Sequence, residues 1–181
     1  MTSPSNRCTC WLAFAISLAT VTSACAPASA PSAAAPAAPR SPPVDFAFPP
    51  ADDGRVVNSE TTRGRATVLV FITTYDMVSQ LVVRRLGELI VRFTPRANAA
   101  AIVLEAPRYA DLLPAYRESL GLPFPVVMAD FATQQGTGYF GDIDKVPVVV
   151  ILDRDGREVW RHQGPLGAPE LESALKSASP H

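Results

Sequence analysis

Residues Ala66 to Ile72 read ATVLVFI, an apolar run interrupted only by Thr67. A strand with one wet face alternates apolar and polar side chains; a run like this predicts a strand buried on both faces, with further layers above and below it. That requirement makes it the central strand of a layered domain. Directly after it, Met77, Leu81, Val82, Leu86, Leu89, Ile90 and Phe93 recur at helical spacing, with Arg84, Arg85, Glu88 and Arg92 between them. The pattern predicts a long amphipathic helix, and Asp76 is placed to cap its N-terminus.

The rest of the chain continues the alternation. Ala99 to Leu104 is a second buried strand, Pro107 to Leu120 a helix opened by Pro107 and bent at Pro114, and Val126 to Met128 a short strand. Val148 to Leu152 and Glu158 to Trp160 flank Asp153-Arg154-Asp155-Gly156, a hairpin turn, and Pro169 to Ser177 closes as a helix. Ahead of the central strand, Val44 to Phe48 alternates and Asp52-Asp53-Gly54 precedes Arg55-Val56-Val57, which predicts an N-terminal β-hairpin. Together these elements make an α/β sandwich around a mixed sheet.

Nearly half of the 181 residues are hydrophobic, enough for one domain with a core of its own. The three cysteines, Cys8, Cys10 and Cys25, all precede it, so the folded part carries no disulfide, zinc or iron-sulfur framework and is held by packing alone. Acids and bases are scattered, with a formal net charge of -1 and no basic stripe that could follow a phosphate backbone, so nucleic acid is not an expected partner. Arg7, the apolar stretch from Trp11 to Val21 and the small residues Thr22-Ser23-Ala24 make residues 1–25 an export signal. Its apolar run is about half the roughly 20 residues that a spanning helix needs. Val21-Thr22-Ser23-Ala24-Cys25 resembles a bacterial lipobox, which implies cleavage before Cys25, a lipid on that cysteine and attachment to a membrane of the bacterial envelope. Ala26 resembles the residue found there in lipoproteins sent to the outer membrane. Simple secretion and an uncleaved signal anchor are the alternatives. Residues 26–43, almost wholly Ala, Pro and Ser, are expected to be a disordered tether reaching up to ~50 Å, and residues 44–178 to be the domain.

Three segments in order, Arg63-Gly64-Arg65 leading through the central strand to Thr73-Thr74-Tyr75, Gly121-Leu122-Pro123-Phe124-Pro125-Val126, and Val146-Pro147 leading to Asp153-Arg154-Asp155-Gly156, resemble the thioredoxin-like superfamily, most closely its TlpA-type and redoxin envelope lipoproteins. The resemblance covers about Val44 to Ser177. It implies a thioredoxin-like three-layer sandwich, a central mixed sheet with helices on both faces, and a cis peptide bond before Pro147. It also implies a groove beside Pro147 where an extended polypeptide pairs with the backbone, lined by Tyr75, Asp76, Met77, Val146, Pro147 and Gly164.

Tyr75 aligns with the aromatic residue that precedes the family's C-x-x-C, which puts Asp76-Met77-Val78-Ser79 on that tetrapeptide. Thiol-disulfide exchange needs a thiolate nucleophile and a second thiol, and neither a carboxylate nor an alcohol replaces them. Asp76 is instead suited to a helix N-terminus, which favours negative charge. Ser79 lacks an obvious general base, since the domain offers only His162 and the terminal His181. One histidine does not make a metal site, and no cofactor is expected; His162 is an edge-strand residue facing solvent. Tyr75 and Phe140 are candidate groove aromatics, with core or rim packing open for each. The expected function is non-catalytic binding of an envelope polypeptide. The alternatives are a disulfide reductase, as family membership implies, and a non-thiol enzyme using Asp76 and His162.

Overall fold

The computed structural model describes residues 41–51 and 53–179. The export signal, Cys25 and most of the tether lie outside the described residues. Five strands form one sheet in the order β3-β2-β1-β4-β5: β1 (Ala66–Ile72), β2 (Ala97–Val103), β3 (Val126–Met128), β4 (Val148–Leu152) and β5 (Glu158–Gln163). The first three are parallel, and β4 and β5 run antiparallel, so the sheet is mixed. Every residue of β1 is buried, as its sequence requires.

Alternation splits β1 between two cores. Ala66, Val68, Val70 and Ile72 meet Val82, Val83, Leu86 and Ile90 of α2 (Met77–Phe93) and Leu171 and Leu175 of α5 (Ala168–Ala178). Leu69 and Phe71 face the other way, into a cluster with Phe46, Phe48 and Phe140, whose rings lie 5.4–6.5 Å apart at their centroids. Such aromatic contacts add to the area they bury. The cover on this second face comes from the segment ahead of β1 and the turn holding Phe140. The short helix α1 (Ser59–Thr62) is closed at its start by Asn58, whose side chain accepts from the Thr61 N–H at 2.8 Å.

Several expectations are refined. The N-terminal hairpin is short and irregular: around an isolated antiparallel Ala47–Asn58 bridge, the Phe48 N–H donates to the Val57 carbonyl at 3.0 Å, the Ser59 N–H to the Phe46 carbonyl at 2.9 Å and the Ala51 N–H to the Arg55 carbonyl at 2.9 Å. Pro49 and Pro50 supply no N–H for a ladder, and burial of Phe46 and Phe48 fixes the segment instead. The 107–120 helix is two pieces, a 3-10 stretch over Pro107–Leu112 and α3 (Leu113–Ser119), the break coming just before Pro114. The helical face on α2 starts later than its apolar spacing suggests: Met77 is 81% exposed and Leu81 46%. A fourth short helix, α4 (Phe131–Gln134), follows β3 and is capped by Asp130.

These burials predict unequal responses along one helix. Leu86→Ala, at a 1% exposed site, should cost about 2–5 kcal/mol in chemical denaturation, and Leu81→Ala less than about 0.5 kcal/mol. Equal losses would contradict the assigned face.

Candidate functional site

The C-terminal ends of the parallel strands share one edge of the sheet, where open α/β sheets place their ligands. Thr73, Thr74 and Tyr75 leave β1 there and lead into α2. Asp76 is the N-cap: its Oδ2 accepts from the Ser79 N–H at 2.7 Å, and its carbonyl accepts the Gln80 N–H at 3.0 Å. The loop is fastened on both sides. The Gln80 side-chain amide donates to the Thr74 carbonyl at 2.7 Å, while the Thr74 N–H and hydroxyl both donate to the Glu105 carboxylate, the hydroxyl at 2.7 Å.

Pro147 reaches the same place from the other strand. Val148 opposes Phe71 in the β1–β4 ladder, so Pro147, one residue earlier, comes level with Ile72 at the base of the Thr73–Asp76 loop. The Val146–Pro147 peptide bond is cis, and the Gly164 N–H donates to the Pro147 carbonyl at 2.8 Å. Gly164 has φ +95°, with open space where a Cβ would stand, so the backbone conformation is what calls for glycine. Val146 is half-buried, and no described residue hydrogen-bonds its N–H or its C=O.

Asp76, Val146, Pro147 and Gly164 therefore gather at one end of the sheet, with Tyr75 (79% exposed) and Met77 forming an apolar rim. Phe140 is not part of that rim but a core residue, 4% exposed. His162 is half-buried rather than facing solvent: its ring stacks on Trp160 at 5.7 Å, its Nε2 lies 3.1 Å from the Pro165 carbonyl and its Nδ1 3.5 Å from Glu170. These contacts turn it toward α5. Among the described residues, no three His, Cys, Asp or Glu side chains come together as metal ligands, and no helix is long and apolar enough to cross a membrane.

No protein-family model and no curated protein matches the sequence. Solved structures do match. A thioredoxin-family thiol:disulfide interchange protein from Chlorobium tepidum TLS superposes with a TM-score of 0.68 at 19% identity, over 79% of this chain and 99% of its own. A thiol-disulfide isomerase from Corynebacterium glutamicum gives 0.65 at 16% identity, over 78% and 97%. StoA from Bacillus subtilis gives 0.58 at 17% identity, over 74% and 98%. The chain has the thioredoxin fold.

Within that thioredoxin fold, Asp76 and Ser79 occupy the first turn of α2 with unlike environments. Asp76 is half-buried, and the Ser79 hydroxyl beside it, then the Ser79 and Val78 N–H groups, hold its carboxyl below the usual aspartate range. Ser79 is fully buried, and its hydroxyl makes no hydrogen bond of acceptable geometry. The Thr73 and Tyr116 hydroxyls are likewise buried without partners. Burial, reinforced by the negative charges of Glu105 and Asp76, pushes the Tyr116 hydroxyl up to about 12, so it remains protonated and cannot serve Ser79 as a base at neutral pH. Glu105, Thr74, Gln80 and Tyr116 escaped the sequence reading; the available signal was that Glu105 follows a buried parallel strand, where side chains reach the ligand edge.

Two substitutions separate these roles. Ser79→Ala should change stability by less than about 1 kcal/mol, because removing a buried hydroxyl without a well-formed hydrogen bond offsets the loss of its polar contact with the Asp76 carboxylate. Asp76→Ala should cost about 1 kcal/mol at neutral pH through the lost cap. A carboxyl whose pKa is lowered by folding stabilises above its unfolded pKa, and that contribution is lost as pH falls through the folded value. Urea titrations should therefore show the gap between wild type and Asp76→Ala narrowing below about pH 4; a widening gap would refute the assignment.

Proposed function

We propose that this protein is a lipid-anchored component of the bacterial envelope that uses a thioredoxin fold to bind a polypeptide without exchanging disulfides. The supporting observation is the pairing of unlike features at one edge of the sheet: Asp76 and Ser79 on the helix turn, and a Val146 backbone that no described residue engages. An extended segment that adds to this edge needs only the free N–H and C=O of Val146 and apolar contact with Tyr75 and Met77. Neither requirement involves sulfur. Gly164 leaves the approach to Pro147 open.

The names of the similar structures favour a thiol-disulfide oxidoreductase. Against that reading, the chain has no cysteine after Cys25, and no carboxylate or alcohol at positions 76 and 79 can form and resolve a mixed disulfide. A non-thiol activity joining Asp76 to His162 is disfavoured by the contacts of His162 with Trp160, Pro165 and Glu170.

Insulin reduction by dithiothreitol should proceed at the uncatalysed rate with the native protein. The double variant Asp76→Cys, Ser79→Cys should accelerate it, since the helix N-terminus favours a thiolate as it favours the carboxylate. Saturable turnover by the native chain would defeat the binding reading. A photoreactive residue replacing Met77 should capture a discrete polypeptide partner in cells, and the absence of any discrete adduct would count against the groove. Cys25→Ser should move the protein from the membrane to the soluble fraction; continued retention would point to an uncleaved signal anchor.

A further inference from the structure

A second concavity, of about 350 Å³, lies at the other end of the sheet. It arises from a mismatch in strand length. β3 pairs only with Ala101–Val103, so residues 97–100 of β2 have an outer edge with no strand beside it among the described residues. Residues 123–125, the Thr94–Pro95 end of α2 and the Arg55–Val57 segment close around this gap. The Ala101 N–H donates to the Pro125 carbonyl at 3.0 Å on the β3 side. Two residues earlier, the strand alternation turns the Ala99 N–H toward the same side, below the end of β3, where it faces the cavity.

The side chains around this edge are donors short of acceptors. Thr67 is 1% exposed, yet its hydroxyl reaches only the Thr62 and Arg65 carbonyls, each at 3.4 Å. The Asn98 amide lies 3.5 Å from the Thr62 carbonyl. All three contacts are at the limit of hydrogen bonding. Thr67 and Asn98 are register partners, so they stand side by side on one face of the sheet. The exposed Arg65 guanidinium is engaged by no described residue, whereas Arg55 is held by Asp53 at 2.7 Å and by the Pro123 carbonyl at 3.3 Å. No acidic side chain lines the cavity, and Ile90, Pro95 and Phe124 give it an apolar wall.

We propose that this cavity binds a small organic anion, a carboxylate on an apolar body, separately from the polypeptide groove at the opposite end of the sheet. The carboxylate offers Thr67, Asn98 and the Ala99 N–H a closer acceptor than these long contacts and pairs with Arg65, while the body crosses the open edge of β2 to lie against Ile90 and Phe124. The volume suits a ligand of modest size rather than a folded partner.

Titration of the isotopically labelled protein with octanoate, followed by amide NMR, tests this. Saturable shifts are expected at Arg65, Thr67 and residues 97–100, with none at Asp76 or Val146. Octylammonium, equally apolar but cationic, should produce no saturable shift there. Arg65→Glu, a change at an exposed position that leaves the far-UV circular dichroism unaltered, should weaken octanoate roughly tenfold or more. Absence of saturation, equal binding of octylammonium, or undiminished binding by Arg65→Glu would overturn the proposal.

Discussion

The double-sided burial of β1 is the constraint from which the site follows. A strand with no exposed residue must be flanked by strands on both edges and covered on both faces, because its backbone groups need partners and its side chains have no route to water. β2 takes one edge in parallel and β4 the other antiparallel. That choice of directions brings the end of β1 and the start of β4 to the same edge of the sheet. Asp76 and Pro147, 71 positions apart in sequence, meet there because Phe71 pairs with Val148.

The first turn of α2 separates what a helix N-terminus does electrostatically from what the residue placed on it does chemically. A helix N-terminus presents unpaired N–H groups and a partial positive charge, and it stabilises whichever anion is placed on it. Asp76 uses this through the Ser79 N–H, which together with the neighbouring Ser79 hydroxyl lowers its pKa. A thiolate would gain the same stabilisation and become a nucleophile; a carboxylate gains it and becomes a cap. Ser79 marks the other half of the difference, because it sits fully buried beneath the turn with a hydroxyl that makes no well-formed hydrogen bond. A sulfur atom tolerates such a setting, being a weak donor and acceptor, while a hydroxyl there is destabilising.

What the sequence displayed depended on how local the signal was. The strands from Ala66 and Val148 and the body of α2 were legible because burial imposes a period that neighbouring residues repeat. Met77 and Leu81 continue that period yet lie exposed, on the side of α2 away from the buried Ser79, Val82 and Leu86. Phe46, Phe48 and Phe140 form a cluster that no spacing could announce, as its members come from separate loops. The cis bond before Pro147 was legible only through resemblance, and Glu105, a single acid after an apolar run, gave no periodic signal at all. The gap beside β2 was hidden for a different reason, because it depends on how few residues of β3 pair, a boundary that composition does not encode.

The same sheet also separates the groove from the place where the chain joins the domain. Val44 donates its N–H to the Gly156 carbonyl at 2.8 Å, Pro43 bridges Arg157, and Arg157 donates to the Ser41 carbonyl at 2.7 Å. Gly156 belongs to the turn after β4, and Leu152 at that end of the strand opposes Thr67 near the start of β1. Seven residues of β1 at about 3.3 Å each leave ~20 Å between this junction and the Asp76–Pro147 edge. Under the proposed anchoring, the tether enters the domain at the end of the sheet remote from the groove. A polypeptide can then reach Val146 without displacing the tether. The arginine-lined cavity is on the junction side of the sheet, so the two proposed sites face different surroundings although they are built on the two ends of the same strands.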